Sequence, residues 1–121
     1  SNELTKDKQI TIDLVLSIDE INDVLYRTIM RFAPFGLGNE APVFCTNEIN
    51  NFKLSLVGNN NSHLKGIVIG KSKSFEFIGF NLGHKYDDLR KSNTIDICYT
   101  IYEDSWRGEK KLKLKLIDIK W

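Results

Sequence analysis

The chain has 121 residues, of which 41% are hydrophobic, 27% charged and 11% aromatic, a composition typical of one globular domain rather than a disordered segment. No run approaches 18 uncharged apolar residues, so the sequence predicts no transmembrane helix. The net charge is +1, but residues 1–51 carry −4, residues 52–104 carry +1 and residues 105–121 carry +4. The basic C-terminal end favours an anionic partner, with nucleic acid among the candidates.

The N-terminal quarter predicts a strand followed by a helix. Residues 9–16 alternate between apolar and polar side chains, as in a strand whose buried face is formed by Ile10, Ile12, Leu14 and Leu16. Ser17 and Glu20 then match a capping box, and apolar residues at helical spacing predict one continuous helix over residues 18–32. Pro34 ends that helix, because the residue before a proline avoids the helical conformation.

Residues 34–44 are rich in glycine, proline and asparagine, which indicates a turning segment of fixed shape. We expect a structural loop formed by Pro34, Gly36, Gly38 and Asn39. One or both of these glycines should adopt φ > 0, and Asn39 should bond to the backbone of its own loop. An ordinary linker is the alternative.

From residue 52 onward, strand patterns follow one another. Period-two alternation predicts strands at residues 52–56, 63–69, 74–80, 94–102 and 111–116, with a short helix or turn at residues 82–91 and a hairpin loop at residues 103–109. After Leu116 the apolar phase slips, which predicts a bulge. The fold class is therefore mainly β, a five-stranded OB-type β-barrel preceded by a strand and an α-helix. We expect residues 1–33 to form a connector and residues 34–121 to form the OB-fold domain.

The sequence predicts no catalytic, metal or cofactor site. His63 and His84 have no partners at metal-ligand spacing, and no nucleotide-binding or nucleophile motif occurs. Cys45 and Cys98 lie in apolar runs, so we expect buried free thiols rather than a disulfide or metal ligands. Free thiols favour a location in the reducing cytoplasm.

A binding surface has more support, because basic and aromatic residues occupy the polar phase of the predicted strands. Cations can follow phosphates and aromatic rings can stack on bases. These side chains are Lys53, His63, Lys65, Thr100, Tyr102, Lys111, Lys113 and Lys115, joined in the last hairpin by Trp106 and Arg107. One alternative is a solvated strand edge whose lysines deter aggregation. In another, Trp106 caps the barrel end and Tyr102 covers a strand edge.

The run Pro-Phe-Gly-x-Gly-Asn-x-x-Pro-Val-Phe at residues 34–44 resembles the C-terminal region of the RecJ family of bacterial exonucleases. Later segments resemble the same family, at His63-Leu64-Lys65, Ile78-Gly79-Phe80, residues 95–101 and residues 112–119. The resemblance covers residues 10–119. Lys113 departs from the glutamine that is common in the family.

The resemblance implies an OB-fold nucleic-acid-binding domain that binds single-stranded DNA and guides it to the catalytic DHH and DHHA1 domains of a 5′→3′ exonuclease. Such an enzyme is a hydrolase of DNA repair and recombination, with Mn or Mg held in those domains. This chain would hold no cofactor and cleave nothing. The expected DNA contacts are Lys53, His63, Lys65, Tyr102, Trp106 and Arg107. A protein-docking OB module is the alternative, and neither interpretation involves a membrane.

Overall fold

The computed structural model describes residues 10–121, which form one seven-stranded sheet with two short α-helices. The strands are β1 Leu14–Val15, β2 Phe44–Ile49, β3 Phe52–Val57, β4 His63–Ile69, β5 Ser74–Gly79, β6 Ile95–Trp106 and β7 Glu109–Lys120. The helices are α1 Asp23–Met30 and α2 Tyr86–Leu89, with 3-10 turns at Ile18–Glu20, Asn59–Asn61 and Gly83–Lys85. No helix within residues 10–121 is long and apolar enough to cross a bilayer.

The sheet closes into a barrel because β2 and β3 act as one bent first strand. The strand order is β1-β2-β6-β7-β5-β4-β3, so β2 pairs with β6 while β3, two residues further on, pairs with β4. At the bend, the Asn51 carbonyl accepts the Ile69 N–H at 3.0 Å and extends the β3–β4 ladder. The parallel β5–β7 pair joins the two halves. Counting β2 and β3 together gives the predicted five strands, and the OB-type fold is confirmed.

The barrel core is built around Tyr99, a fully buried residue of β6. Its hydroxyl pairs with Thr46 Oγ1 at 2.7 Å, which satisfies two buried polar groups, and burial raises the pKa of Tyr99 to about 12. Beside it, the sulfurs of Cys45 and Cys98 lie 3.3 Å apart on opposite strands. Both cysteines are buried, reduced thiols, as predicted, and desolvation raises the pKa of the Cys45 thiol.

The strands differ from their predictions at two points and agree with them at a third. The first barrel strand begins at Phe44 rather than at residue 52, because β2 is buried on both faces at residues 44–46 and shows no alternation there. Strands β6 and β7 extend to Trp106 and from Glu109, so the expected hairpin loop at residues 103–109 shrinks to two residues. The bulge after Leu116 is confirmed, since Tyr99 pairs with Leu116 while Cys98 pairs with Asp118.

The N-terminal segment also differs from its prediction. Within residues 10–121, the strand pairing of this segment covers residues 14–15, in parallel with β2, and Leu14 remains 48% exposed. Of the expected buried face, Leu16 is the buried member. The prediction of one continuous helix over residues 18–32 is wrong. A 3-10 turn stops at Ile21, whose backbone is extended, and α1 begins after Asn22, whose side chain accepts the Leu25 N–H at 2.8 Å.

The helix breaks because Ile21 and Asp19 have partners elsewhere in the fold. Ile21 is fully buried in the shared core. The Asp19 carboxylate accepts the N–H groups of Lys71, Ser72 and Lys73 at 2.8–3.0 Å. These hydrogen bonds, chiefly those from Ser72 and Lys71, hold the pKa of Asp19 below its ordinary 3.8. Because one core spans both parts of the chain, the division at residue 33 stays a prediction, and residues 1–9 of the connector lie outside the described residues.

The loop after α1 has the geometry that its composition predicts. Gly38 has φ +83°, and Gly36 and Asn39 exchange backbone hydrogen bonds at 2.8 and 3.0 Å. The Asn39 side-chain amide donates to the carbonyls of Phe32 and Pro34, both at 2.8 Å. The predicted positive φ is therefore confirmed for Gly38, and Asn39 ties the loop to the end of α1.

We predict that Gly38→Ala destabilises the chain and Gly36→Ala does not. No atom lies within 4 Å of a methyl group placed at either position, so the two substitutions differ in backbone conformation alone. An alanine at φ +83° should cost about 1 kcal/mol, which lowers the melting temperature by several degrees. Thermal unfolding followed by circular dichroism measures both variants, and equal melting temperatures would contradict the strained-loop account.

We predict that Asp19 contributes stability that acid removes. Because its folded pKa lies below the ordinary 3.8, the contribution is complete above that value and is lost as pH falls through the folded pKa. Urea unfolding of Asp19→Asn should show lower stability near neutral pH and a smaller loss between about pH 5 and about pH 2. Asp87→Asn is the control, since that carboxylate is 80% exposed. An acid dependence in Asp19→Asn as steep as in wild type would refute the prediction.

Candidate nucleic-acid interface

The pairing of the strands decides which polar side chains share the outer face of the barrel. Lys65 on β4 stands opposite Ser55 on β3 and Ile78 on β5. Tyr102 on β6 stands opposite Lys113 on β7. Ile78 on β5 pairs in parallel with Lys115 on β7, so the side chains of β3, β4 and β5 lie next to those of β7 and β6. Because successive residues of a strand alternate between faces, the paired residues lie on the same face. One outer surface therefore runs across β3, β4, β5, β7 and β6.

A shallow cavity of about 370 Å³ opens on this surface, and we call it the barrel groove. It is lined by Val57, Lys65, Glu76, Phe77, Ile78, Phe80, Tyr102 and Lys113. Four of the eight lining residues belong to the second and third strands of the OB barrel, here β4 and β5, which form the face on which OB folds bind oligonucleotides.

Lys113 is the cation of the barrel groove that is paired with carboxylates. Its Nζ lies 2.8 Å from Asp104 Oδ2 and 3.6 Å from Glu76 Oε2. The hydrogen bond from Lys113 lowers the pKa of Asp104, and the same bond raises the pKa of Lys113. Both groups are thus charged at neutral pH, and the lysine is largely neutralised by its neighbours.

Lys65 and Lys53 are two of the exposed cations on this face, which also carries Lys115. Both are exposed, and within residues 10–121 neither ammonium has a carboxylate at salt-bridge distance. Lys65 lines the barrel groove, whereas Lys53 lies further along the sheet on β3, opposite Ile67. Their charges are free to meet an anion.

Two aromatic rings, Tyr102 and Phe80, border the barrel groove. Tyr102 is half-buried, and desolvation raises the pKa of its phenol against the opposing effect of Lys113. Phe80 is 52% exposed, and the centre of its ring lies 5.8 Å from the Lys115 ammonium. An exposed ring next to a cation is the combination that binds a base and its phosphate.

His63 is held by structural contacts. Its Nδ1 accepts the Asn81 N–H at 3.0 Å, and its ring meets Phe80 edge to face at 5.3 Å. A side chain on Gly58 would come within 2.6 Å of the His63 ring. His63 therefore positions Phe80 and the strand ends around it, and is less available than Lys65 as a direct contact.

Trp106 and Arg107 form the tip of the β6–β7 hairpin. Arg107 and Gly108 have φ 50° and 78°, as in a two-residue turn of type I′. Trp106 is 69% exposed and its ring lies under the Arg107 guanidinium at 4.4 Å. The alternative that Trp106 caps the barrel end is therefore wrong, because an exposed ring covers no core.

The structure brings together part of the predicted set. Lys65 and Tyr102 line the barrel groove, His63 contacts its rim through Phe80, and Lys53 lies beside it. Trp106 and Arg107 lie beyond it at the hairpin tip. Phe80 is not among the contacts predicted from the sequence. Phe75 and Phe77 of β5 face inward, and Phe80 lies an odd number of residues from both, so the alternation places it on the outer face. That phase difference was the available signal.

The described residues fit no metal site. Within residues 10–121, no group of three or more His, Cys, Asp or Glu side chains could hold a metal ion.

A comparison with protein families matches residues 12–118 to the RecJ OB domain. A comparison with curated proteins finds no match.

Solved structures of RecJ from Thermus thermophilus share this fold. In the complex with Mn²⁺ the TM-score is 0.71 at 17% identity, covering 94% of this chain and 16% of the RecJ chain. In the complex with Mg²⁺ the TM-score is 0.60 at 18% identity, covering 80% and 14% of the respective chains. This chain thus spans about one sixth of the RecJ proteins that it resembles.

Proposed function

This chain belongs to the RecJ OB-domain family, and we propose that it is the single-stranded-DNA-binding domain of a RecJ-type 5′→3′ exonuclease. In this proposal the domain binds the single-stranded DNA and guides it to DHH and DHHA1 catalytic domains outside this sequence. Those domains would hold the Mn or Mg, and the chain itself would hydrolyse nothing. The two RecJ structures, solved with Mn²⁺ and Mg²⁺, support that choice of metals for the parent enzyme.

The observation that carries the proposal is that exposed lysines share one OB face with two aromatic rings, the exposed Phe80 and the half-buried Tyr102. Lys65 and Tyr102 line the barrel groove together with Phe80. Lys65 and Lys53 would neutralise phosphates without reading the sequence, because phosphates are the same in every nucleotide. Tyr102 and Phe80 would stack on bases, a contact worth about 1–3 kcal/mol per base.

The hairpin tip would extend this surface. Trp106 lies on the same face of β6 as Tyr102, since they are four residues apart on one strand. The Arg107 guanidinium covers Trp106 at 4.4 Å, so a stacked base and its phosphate would meet a ring and a cation together. The loop between the last two strands commonly borders the OB ligand groove.

A protein-docking module is the second candidate, and exposed apolar side chains after α1 favour it. Phe32 is 68% exposed and Leu37 is fully exposed. In this case the partner would be the catalytic domains of the parent chain. The two functions are compatible, because these residues lie outside the barrel groove. The buried, reduced thiols of Cys45 and Cys98 support a cytoplasmic location as part of the proposal.

We predict that Tyr102→Ala and Trp106→Ala each weaken binding of labelled oligo-dT. Loss of one stacked base should lower affinity roughly 5- to 150-fold, the equivalent of about 1–3 kcal/mol. Fluorescence anisotropy measures the affinity, and thermal unfolding checks the fold. Tyr102→Phe is the matched control, because it keeps the ring and should bind nearly as wild type does. Unchanged affinity in both alanine variants, with a lowered melting temperature, would show that the rings are structural.

We predict that Asp104→Asn strengthens oligo-dT binding. The substitution removes the nearer carboxylate, 2.8 Å from Lys113 Nζ, and leaves Glu76 at 3.6 Å, so the lysine charge becomes more available to a phosphate. One added phosphate contact should steepen the dependence of log affinity on log salt by about 0.7. Asp87→Asn on α2 is the charge-matched control outside the groove. An equal gain in both variants would indicate a general charge effect and contradict a role for Lys113.

A further inference from the structure

Three cavities adjoin one another along the side of the molecule, and shared walls connect them. Tyr102 lines both the barrel groove and a pocket of about 240 Å³ between α1 and the barrel, which we call the helix pocket. Tyr26 and Met30 of α1 line the helix pocket and also a larger groove of about 840 Å³. We call this third cavity the arginine groove. Tyr102 therefore lies between the barrel groove and the helix pocket, and Tyr26 and Met30 lie between the helix pocket and the arginine groove.

One face of α1 forms a wall of the arginine groove. It presents Asp23, Tyr26, Arg27, Met30 and Arg31, at the spacing of side chains that share a helix face. Opposite them, on the β6–β7 hairpin, lie Glu103 and Lys110. The groove thus has cations on both walls and an apolar and aromatic surface between them.

The charges of the arginine groove favour an anion. Lys110 Nζ lies 4.0 Å from Glu103 Oε1, at the limit of an ion pair. Arg27 and Arg31 are exposed, and in the part of the chain that the structure describes neither guanidinium forms an ion pair. Asp23 is the remaining carboxylate of the groove. Two unpaired guanidinium groups, four residues apart, are therefore available on one wall.

The route from the barrel groove to α1 passes the helix pocket at Tyr102. Strand β2 pairs with β6 only as far as Tyr99, opposite Phe44, so beyond that point β6 has β7 as its strand partner on one side. Tyr102 and Lys113 lie on one face of the hairpin, whereas Glu103 belongs to the opposite face. Within residues 10–121 no strand pairs with this edge of β6, and the helix pocket lies beside it, so an extended chain leaving the barrel groove would pass the helix pocket to reach α1.

We propose that the arginine groove is a second phosphate-binding subsite for the same nucleic-acid strand, with Arg27 and Arg31 as its phosphate contacts. This inference rests on the proposed function and extends it. Guanidinium groups bind phosphate through paired N–H donors, and the helix holds both at a fixed separation. Tyr102 would then be the point at which the strand turns from the barrel face toward α1. A strand too short to pass Tyr102 would bind the barrel groove alone.

The test compares two oligonucleotide lengths with the variant Arg27→Ala/Arg31→Ala. Labelled oligo-dT of about 6 and about 15 nucleotides samples the range of OB site sizes. For the longer oligonucleotide, the double variant should bind more weakly, and the slope of log affinity against log salt should become shallower by about 1.4, or about 0.7 per lost contact. The shorter oligonucleotide should bind wild type and variant equally. Arg90→Ala at the end of α2 is the control and should change neither slope.

The outcomes separate this subsite from the proposed function. If wild type binds neither oligonucleotide, the DNA-binding function fails and the subsite fails with it. If wild type binds both but the double variant keeps the wild-type slope for the longer one, the barrel groove stands and the subsite is wrong. That second result is also the one expected if an acidic protein segment, rather than nucleic acid, occupies the arginine groove. An unchanged melting temperature in the variant shows that the fold is intact.

Discussion

The bend between Ile49 and Phe52 is the constraint on which the barrel and its binding face depend. One stretch of chain must pair with β6 on one side and with β4 on the other, and the bend lets it do both. Closure leaves the sheet few free edges, and it forces β4, β5, β7 and β6 side by side. Lys65 and Tyr102, distant in sequence, become neighbours through that order of strands.

Most of the fold follows from local alternation, and the exceptions share one physical cause. In strands β3 to β7, polar side chains on the outer face alternate with apolar side chains on the inner face, so the sequence predicts these strands. Strand β2 has no such phase, because residues 44–46 are buried on both faces of the strand. The break in the predicted helix has a similar origin. Asp19 accepts hydrogen bonds from the backbone of residues 71–73, and a local sequence pattern cannot predict a partner that lies about 50 residues away.

The candidate site was only partly readable for the same reason. Residue type and strand phase place Lys65 and Tyr102 on the outer face, and the structure brings both into one groove. The neutralisation of Lys113 by Asp104 depends on a cross-strand register that the sequence does not encode locally. The packing of His63 against Phe80 depends on the turn that follows β5. Charge and aromatic content thus identify the face, whereas the fold decides which of its groups are free.

The most direct measurement is a titration of the wild-type chain with labelled oligo-dT across a series of salt concentrations. Phosphate contacts release counterions, so log affinity should fall linearly with log salt, at about 0.7 per contact for single strands. With Lys53, Lys65 and Arg107 engaged, the account predicts a slope of about −2 or steeper. Absence of binding, or an affinity that salt leaves unchanged, would contradict a nucleic-acid interface on this barrel and favour a protein-docking surface.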